Sequence, residues 1–338
     1  MDYSRILRRA WEITWRYRAL WLFGILAAIF AGGGGGGNSG TSYSGGGRFP
    51  SWAPSAPFDM ERFWAAIVIV VLALILLAIV LAIAGVFVRY ISETAVIRMV
   101  DDYETTGIKR RIRDGFRLGW SRAAWRLFLI DLVIAIPVGL AFVLLFLLSF
   151  SPLLLWVTGV KALGVLGTVA TVGLILLMIV LAILAAAAIS LLKPFFWRMA
   201  ALQGRGVFDS IGEGYRMVRR HLREAGSMWL ILIGIGIAFG LAMIPVVIII
   251  VIVSAVVAAL LALAVVLLAG LLVSSGAAPW IAGAIVGVPV FFVLLVVPLS
   301  FVQGLWLIYK SSVWTLTFRE LRALEGVPPA LPPVAAEG

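Results

Sequence analysis

Asp131 is the residue of this sequence with the clearest capacity for chemistry, because it is the only acidic side chain in the apolar run 127–150. An ionisable group inside a membrane span is a candidate for binding a cation or carrying a proton. Asp131 lies five residues after Arg126, close to the predicted boundary of the span. A salt bridge to a basic residue of a neighbouring helix is therefore the alternative to a functional role.

Nucleophilic and metal chemistry have few residues to draw on. The chain contains no cysteine and a single histidine, His221, which lies beside Arg219, Arg220 and Arg223. A zinc site needs three or four ligating side chains, and a catalytic triad needs a base next to its nucleophile. We therefore predict a non-enzymatic protein with no catalytic residue, no metal and no cofactor, and we expect His221 to be solvated.

A glycine-rich segment also invites a chemical interpretation, since ten glycines fall between Gly32 and Gly47. Phosphate-binding loops join a strand to a helix, and many end in GK[ST], which this segment lacks. Its Gly, Ser, Thr and Asn content is typical of a flexible linker. We interpret it as an external connection between the first two membrane spans.

The composition indicates that membrane-spanning helices position these residues. Hydrophobic residues make up 63% of the 338, and only 13% are charged, compared with about 25% charged in soluble domains. A bilayer needs about 20 apolar residues of helix per crossing. We predict an all-α, polytopic integral membrane protein with six transmembrane helices. The extra apolar segment 253–275 makes seven the alternative, and a seventh crossing would move the C-terminus to the other side.

Three segments resemble one another: 3–15, 108–120 and 207–219. In each, aromatic, aliphatic and small residues recur at spacings of three and four on one side and charged residues recur on the opposite side, which predicts an amphipathic helix. Each precedes a span, and the following inner segments end at Gly107, Gly206 and Gly326, glycines that suit left-handed helix caps. This pattern predicts three parallel helical-hairpin repeats, each introduced by an amphipathic helix on the cytoplasmic face.

The predicted units have the following boundaries. Unit 1 is 1–107, with spans at about 19–34 and 63–88 and a Gly-rich external loop at 32–62. Unit 2 is 108–206, with spans at about 127–150 and 165–190. Unit 3 is 207–326, with spans at about 228–252 and 279–305. The Pro-rich tail 327–338 is predicted to be disordered.

Charge sets the predicted orientation. Placing the repeat segments inside puts 24 of the 27 Lys and Arg residues on the cytoplasmic side, as the positive-inside rule requires. This sorting also accounts for the formal charge of +11 without a nucleic-acid partner. We predict a multi-pass protein of the bacterial cytoplasmic membrane with a cytoplasmic N-terminus.

The basic faces of the amphipathic helices are the second candidate site. Such helices lie in the membrane interface and attract anionic lipid. A structural role in anchoring and topology is the alternative. The candidate anionic-lipid or partner contacts are Arg5, Arg9, Arg16, Arg110, Arg113, Arg117, Arg216 and Arg220.

The stretch RRAWEITWRYRALWLFGILAAIFAGGGGGG resembles the N-termini of uncharacterised bacterial polytopic membrane proteins. The order of amphipathic helix and span pair is similar to that of the membrane domain associated with some glycerophosphodiester phosphodiesterases. The chain has no phosphodiesterase catalytic domain. The resemblance therefore implies an architecture and a bacterial inner membrane, and it implies no activity.

Two functions follow as expectations. The first is a non-enzymatic scaffold or accessory subunit that binds membrane lipids, among them anionic ones, or a membrane-protein partner or second copy, through the basic cytoplasmic face. The second is a transporter or permease-like subunit that moves a lipidic or other apolar solute. Few polar residues lie within the spans, which disfavours a carrier of polar solutes.

Overall fold

The computed structural model describes residues 1–30, 60–272 and 278–326, and within these ranges the chain is helical with no strand. The predicted Gly-rich loop therefore lies almost entirely outside the described residues, and the tail 327–338 lies wholly outside them. The nine α-helices of the described ranges are α1 (Tyr3–Arg16), α2 (Ala19–Phe30), α3 (Met60–Thr106), α4 (Ile112–Gly119), α5 (Arg122–Ser149), α6 (Lys161–Gln203), α7 (Val207–Arg220), α8 (Leu222–Leu272) and α9 (Ala278–Leu324). A 3-10 helix, Ser151–Thr158, connects α5 to α6.

The helix ends follow from local chemistry. The Asp2 side chain accepts a hydrogen bond of 3.1 Å from the Arg5 backbone N–H and so caps α1. Gly107 and Gly326 adopt the left-handed conformation that was predicted for them, with φ of 71° and 70°. In the second unit the prediction of Gly206 was wrong. The left-handed residue at the C-terminal end of α6 is Gly204, with φ of 63°, and Gly206 instead forms the N-cap of α7.

The protein is a multi-pass, all-helical membrane protein by the length and composition of its helices. Five helices of the described ranges are long and apolar enough to cross a membrane: α3, α5, α6, α8 and α9. Helices α1 and α2 together would make a sixth, but they meet at a bend of 96°. Helix α2 alone has 12 described residues, about 18 Å at 1.5 Å per residue, which is shorter than the apolar core of a bilayer.

The extra apolar segment of the third unit is a continuation of helix α8 as far as Leu272. Small residues hold this part against α9, because a Cβ on Gly283 would lie 2.5 Å from Val266 and one on Gly287 would lie 2.7 Å from Ala262. The uncharged residues 225–272 extend about 72 Å as a helix, more than twice the thickness of the bilayer core. Residues 273–277, where the predicted segment ends, lie outside the described ranges.

The core lies at one end of the helices, where the C-terminal parts of α3, α6 and α9 pack against one another. Around them, α4 packs on α3, α7 packs on α6, and α1 packs on α9. We call this region the charged end. Its buried residues include Tyr17, Ile97, Phe195 and Phe318.

Away from the charged end, the helices bury little surface. Helix α5 contacts α6 there, and α8 contacts α9, but their outer faces remain open, as at Leu144, Leu184 and Ile249, which are 57%, 61% and 60% exposed. Exposed leucine and isoleucine on all sides of a helix are typical of surfaces that lipid covers.

Candidate functional site

Asp131 lies in a polar cluster formed by three helices. Its Oδ2 atom is 2.7 Å from the Nζ atom of Lys193 and accepts a hydrogen bond of 2.7 Å from the hydroxyl of Tyr90. Its Oδ1 atom accepts a hydrogen bond of 3.0 Å from the indole N–H of Trp197. The Asp131 side chain is only 15% exposed. The cluster joins α3, α5 and α6 just inside the charged end.

Lys193 neutralises the carboxylate and also contacts an aromatic face. Its Nζ atom lies 4.5 Å from the centre of the Trp197 ring, a geometry that favours a cation. The ammonium thus has the Asp131 carboxylate and an aromatic ring as its partners. This is the salt bridge to a neighbouring helix that was the alternative for Asp131. A role of Asp131 in ion or proton binding stays a prediction.

A second buried charge, Arg198, lies at the junction of α6 and α9. It is 3% exposed and donates hydrogen bonds to the carbonyls of Pro194 and Ser311, at 2.8 and 2.7 Å, and to the Thr315 hydroxyl at 3.2 Å. Glu93 of α3, which is 9% exposed, faces the positive charges of Arg198 and its neighbours. Arg198 therefore joins α6 to α9 through these hydrogen bonds, and Glu93 places a buried carboxyl of α3 among the positive charges around it.

The candidate lipid-contacting arginines divide into two groups. Three of them form ion pairs with acidic residues at the ends of α3 and α9. These pairs are Arg9 with Glu104 at 2.8 Å, Arg110 with Asp102 at 2.6 Å, and Arg220 with Glu325 at 3.6 Å. The hydrogen bond to Asp102 raises the pKa of Arg110. These ion pairs join the amphipathic helices and their flanking residues to the core helices, and a role of the three arginines in binding lipid or a partner stays a prediction.

The remaining five candidates are exposed and form no ion pair within the described ranges. They are Arg5, Arg16, Arg113, Arg117 and Arg216. Large apolar side chains are exposed on the same three helices. Trp11 and Trp15 of α1 are 56% and 47% exposed, Phe116 of α4 is 49% exposed, and Tyr215 of α7 is 50% exposed. Each amphipathic helix thus presents cations and aromatic rings together on an uncovered surface.

An apolar groove of about 720 Å³ runs between α3 and α5 beside the Asp131 cluster. Stacked aromatic rings form part of its wall, with Phe87 and Trp125 nearly parallel at 6.2 Å between ring centres. Tyr90, the hydrogen-bond donor to Asp131, also lines it. The remaining lining residues are Ile83, Val86, Ile91, Trp120, Ser121, Arg122, Ala124 and Phe128. We call this the α3–α5 groove.

His221 is less solvated than predicted. Its side chain is 21% exposed, and its Nε2 atom lies 3.6 Å from the Glu325 carboxylate, which also pairs with Arg220. Within the described ranges no group of three His, Asp or Glu residues is arranged to hold a metal ion.

Several of these residues were missed by sequence reasoning. Lys193 directly follows the last apolar residue of its span, and Trp197 follows it by one helical turn. That spacing was the available signal for a cation next to an indole ring. Glu93 lies between Arg89 and Arg98, so nothing local marks it as buried, whereas the apolar neighbours of Arg198 in PFFWRMAAL were a local signal for its burial. The α3–α5 groove depends on the packing of helices that are distant in the chain.

Comparison with known proteins gives one match. The model of a family described as a family of unknown function, DUF7544, matches residues 8–318. No curated protein and no solved structure matches. The match agrees with the predicted resemblance to uncharacterised membrane proteins and shows no link to the membrane domain associated with glycerophosphodiester phosphodiesterases. Because the match covers most of the chain, the protein belongs to this family of unknown function.

Proposed function

We propose that the protein is a non-enzymatic integral membrane protein that binds anionic phospholipid headgroups at its charged end. The observation that carries this proposal is the combination of exposed, unpaired arginines with exposed aromatic side chains on α1, α4 and α7. Helices that lie in the membrane interface have this composition, with apolar rings at the level of the acyl chains and cations at the headgroups.

Helix α4 illustrates the geometry. Phe116 and Trp120 stack with their ring centres 6.0 Å apart, and Trp120 is 69% exposed. Arg113 and Arg117 are exposed on the same eight-residue helix. Tryptophan is favoured at the membrane interface because one end of the ring is apolar and the other donates a hydrogen bond. The arginines are therefore within reach of the phosphates.

The proposal includes a topology with six spans, in which the charged end and both termini are cytoplasmic. The order of helix contacts supports the three-fold repeat, because α4, α7 and α1 pack on α3, α6 and α9 respectively. Each amphipathic helix thus packs on the inner helix that precedes it in the chain, and α1 closes the ring against the last. The concentration of cations at this end supports the cytoplasmic orientation.

Native mass spectrometry of the purified protein during titration with phosphatidylglycerol tests lipid binding. Near an anionic surface each basic residue contributes about 1 kcal/mol, so replacing three arginines should cost up to about 3 kcal/mol. The variant carries Arg113→Gln, Arg117→Gln and Arg216→Gln. We expect it to retain fewer phosphatidylglycerol molecules than the wild type at equal concentration, and we expect phosphatidylcholine binding to be unchanged.

The matched control replaces the same three arginines by lysine, which keeps the charge. This variant should bind phosphatidylglycerol nearly as well as the wild type. Because the three side chains are exposed and unpaired among the described residues, both variants should melt at the temperature of the wild type. Retention of phosphatidylglycerol by the glutamine variant would contradict the proposal.

A transporter of a lipidic or other apolar solute is the second candidate. It is favoured by the α3–α5 groove, which joins an apolar surface to a buried salt bridge through Tyr90. Fluorescent-lipid translocation across proteoliposomes would test it. A rate equal to that of protein-free vesicles would rule it out for the lipid used.

A further inference from the structure

Two contacts between neighbouring hairpins, α2 with α9 and α3 with α5, are closed to different degrees. Between α2 and α9 the backbones touch, because a Cβ on Gly24 would lie 2.6 Å from the Gly304 carbonyl oxygen and one on Gly304 would lie 2.8 Å from the Gly24 carbonyl carbon. Small residues allow this close approach in membranes. No space for a ligand remains there.

Large aromatic rings occupy the corresponding contact between α3 and α5. Tyr90 and Phe128 meet edge to face at 5.6 Å between ring centres, and Trp125 lies 5.1 Å from Phe128. These rings hold the helices apart and leave the α3–α5 groove open beside Ile83 and Val86, which are 55% and 41% exposed. The groove volume of about 720 Å³ lies in the range of about 300–1,000 Å³ that is typical of sites for small molecules.

The two ends of the groove differ in chemistry. Ile83, Val86 and Phe87 lie at one end, within the predicted span of α3. At the other end the lining ends at Trp120, Ser121 and Arg122, where α5 begins at the charged end.

Two cations lie at this polar end. Arg122 is exposed and forms no ion pair within the described part of the chain. Arg98 donates a hydrogen bond of 3.1 Å to the hydroxyl of Ser121, which precedes Arg122 in the chain, and two more to the carbonyls of Leu118 and Ala201. The groove is therefore apolar along the span and positive at the interface.

We infer that the α3–α5 groove binds one molecule of an anionic glycerophospholipid, with an acyl chain along the aromatic wall and the phosphate at Arg122. The inference deepens the proposed function, on which it rests, by assigning one defined site. The charge complementarity at Arg122 selects the headgroup. The apolar wall cannot distinguish one phospholipid from another, because all acyl chains are as apolar as the side chains that they contact. Selectivity for an anionic headgroup must therefore come from the charge of Arg122, and the groove determines where the lipid binds.

Two kinds of substitution separate the contribution of the groove from that of the charge. Val86→Trp fills the groove with a side chain that starts from an exposed position, and Ile83→Trp does the same one turn earlier. Arg122→Gln removes the charge and leaves the groove open. The control for added bulk is Leu184→Trp on α6, since Leu184 is also exposed and lies outside the groove. The control for the charge is Arg122→Lys.

Native mass spectrometry with phosphatidylglycerol and phosphatidylcholine provides the first measurement. We expect the wild type to bind one phosphatidylglycerol more tightly than any further lipid. Val86→Trp and Ile83→Trp should lose this tight binding, and Leu184→Trp should keep it. Arg122→Gln should weaken it about fivefold, the effect of one basic residue near an anionic surface. A phosphatidylglycerol analogue with a photoreactive acyl chain should cross-link to α3 or α5 in the wild type and not in Val86→Trp.

The results also distinguish this site from the broader proposal. If Val86→Trp and Ile83→Trp bind the first lipid as the wild type does, or if cross-links fall on other helices, the groove site is refuted. If the variant with Arg113, Arg117 and Arg216 replaced by glutamine loses later lipids but keeps the first, both the site and the proposed function are supported. If that variant keeps all its lipids while Val86→Trp loses the first, the groove site stands and the proposed binding through the exposed arginines of α4 and α7 fails.

Discussion

Lys193→Met should destabilise the protein, because it leaves the largely buried Asp131 carboxylate without its cation. The substitution keeps an unbranched side chain of similar length, but it removes the ammonium 2.7 Å from Asp131. Asp131 retains its hydrogen bonds from Tyr90 and Trp197. We expect the free energy of unfolding to fall by about 2–3 kcal/mol, between the net contribution of a charged hydrogen bond and the cost of breaking a fully buried pair.

The assay is a double-mutant cycle with the free energy of unfolding measured by steric trapping in bicelles. The cycle combines Lys193→Met with Asp131→Asn, which keeps the shape of the acceptor and removes its charge. The double variant leaves neither charge unpaired, so its loss should be smaller than the sum of the single losses by about 1–2 kcal/mol. The pair Asp131→Asn and Lys161→Met is the control. Lys161 lies 32 residues before Lys193 on α6, about 48 Å along the helix, and this pair should be additive within about 0.5 kcal/mol.

Additive losses for Asp131→Asn and Lys193→Met would refute the salt bridge as a stabilising contact. A coupling equal to that of the Lys161 control would do the same. If instead the double variant is at least as stable as the wild type, the pair would be retained for a reason other than stability, which is the outcome often seen when buried ion pairs are replaced by apolar side chains.

Three further outcomes follow from the structure. Arg198→Met should lower the free energy of unfolding by about 1–3 kcal/mol, because it removes the buried donor that binds the Ser311 carbonyl and the Thr315 hydroxyl; an unchanged free energy of unfolding in the same steric-trapping assay would contradict this. Gly304→Ala should destabilise the α2–α9 contact and lower the melting temperature, while Gly139→Ala, which has nothing within 4 Å of an added Cβ, should not; equal melting temperatures would contradict it. In this cysteine-free chain, a cysteine at Arg113 should react with a membrane-impermeant maleimide only after cells are opened, and one at Lys161 should react in intact cells; the reverse pattern would overturn the topology.

The sequence predicted the helical membrane architecture because it depends on composition and periodicity, which are local. Apolar runs long enough to cross a bilayer can be counted, and the amphipathic helices α1, α4 and α7 begin within a few residues of the predicted segments. Helix length was harder to predict. The spans and inner segments were predicted as separate helices, but α3, α6 and α9 continue through both, and α6 does so even across Pro194, which lacks a backbone N–H.

The polar contacts could be predicted only in part. Asp131 could be identified because an acidic residue in an apolar run is conspicuous, and its position near the end of the predicted span indicated a salt bridge as the alternative role. Its partner Lys193 lies on another helix, so the pairing depends on how α5 and α6 meet. The arginines differ for the same reason. Arg9 and Arg113 both lie on predicted amphipathic helices, but of the two only Arg9 forms an ion pair with a described acidic residue of another helix, Glu104.

Binding of anionic phospholipid at the charged end should appear as enrichment of such lipid around the protein. The wild type is placed in nanodiscs that contain equal amounts of phosphatidylglycerol and phosphatidylcholine, and the lipids that remain bound after detergent extraction are quantified. We expect enrichment of phosphatidylglycerol in the wild type, and loss of most of that enrichment when Arg113, Arg117 and Arg216 become glutamine. Enrichment should also weaken in 1 M salt, where charges are screened beyond about 3 Å. Retained lipid of the same composition as the nanodisc, in wild type and variant alike, would contradict the claim.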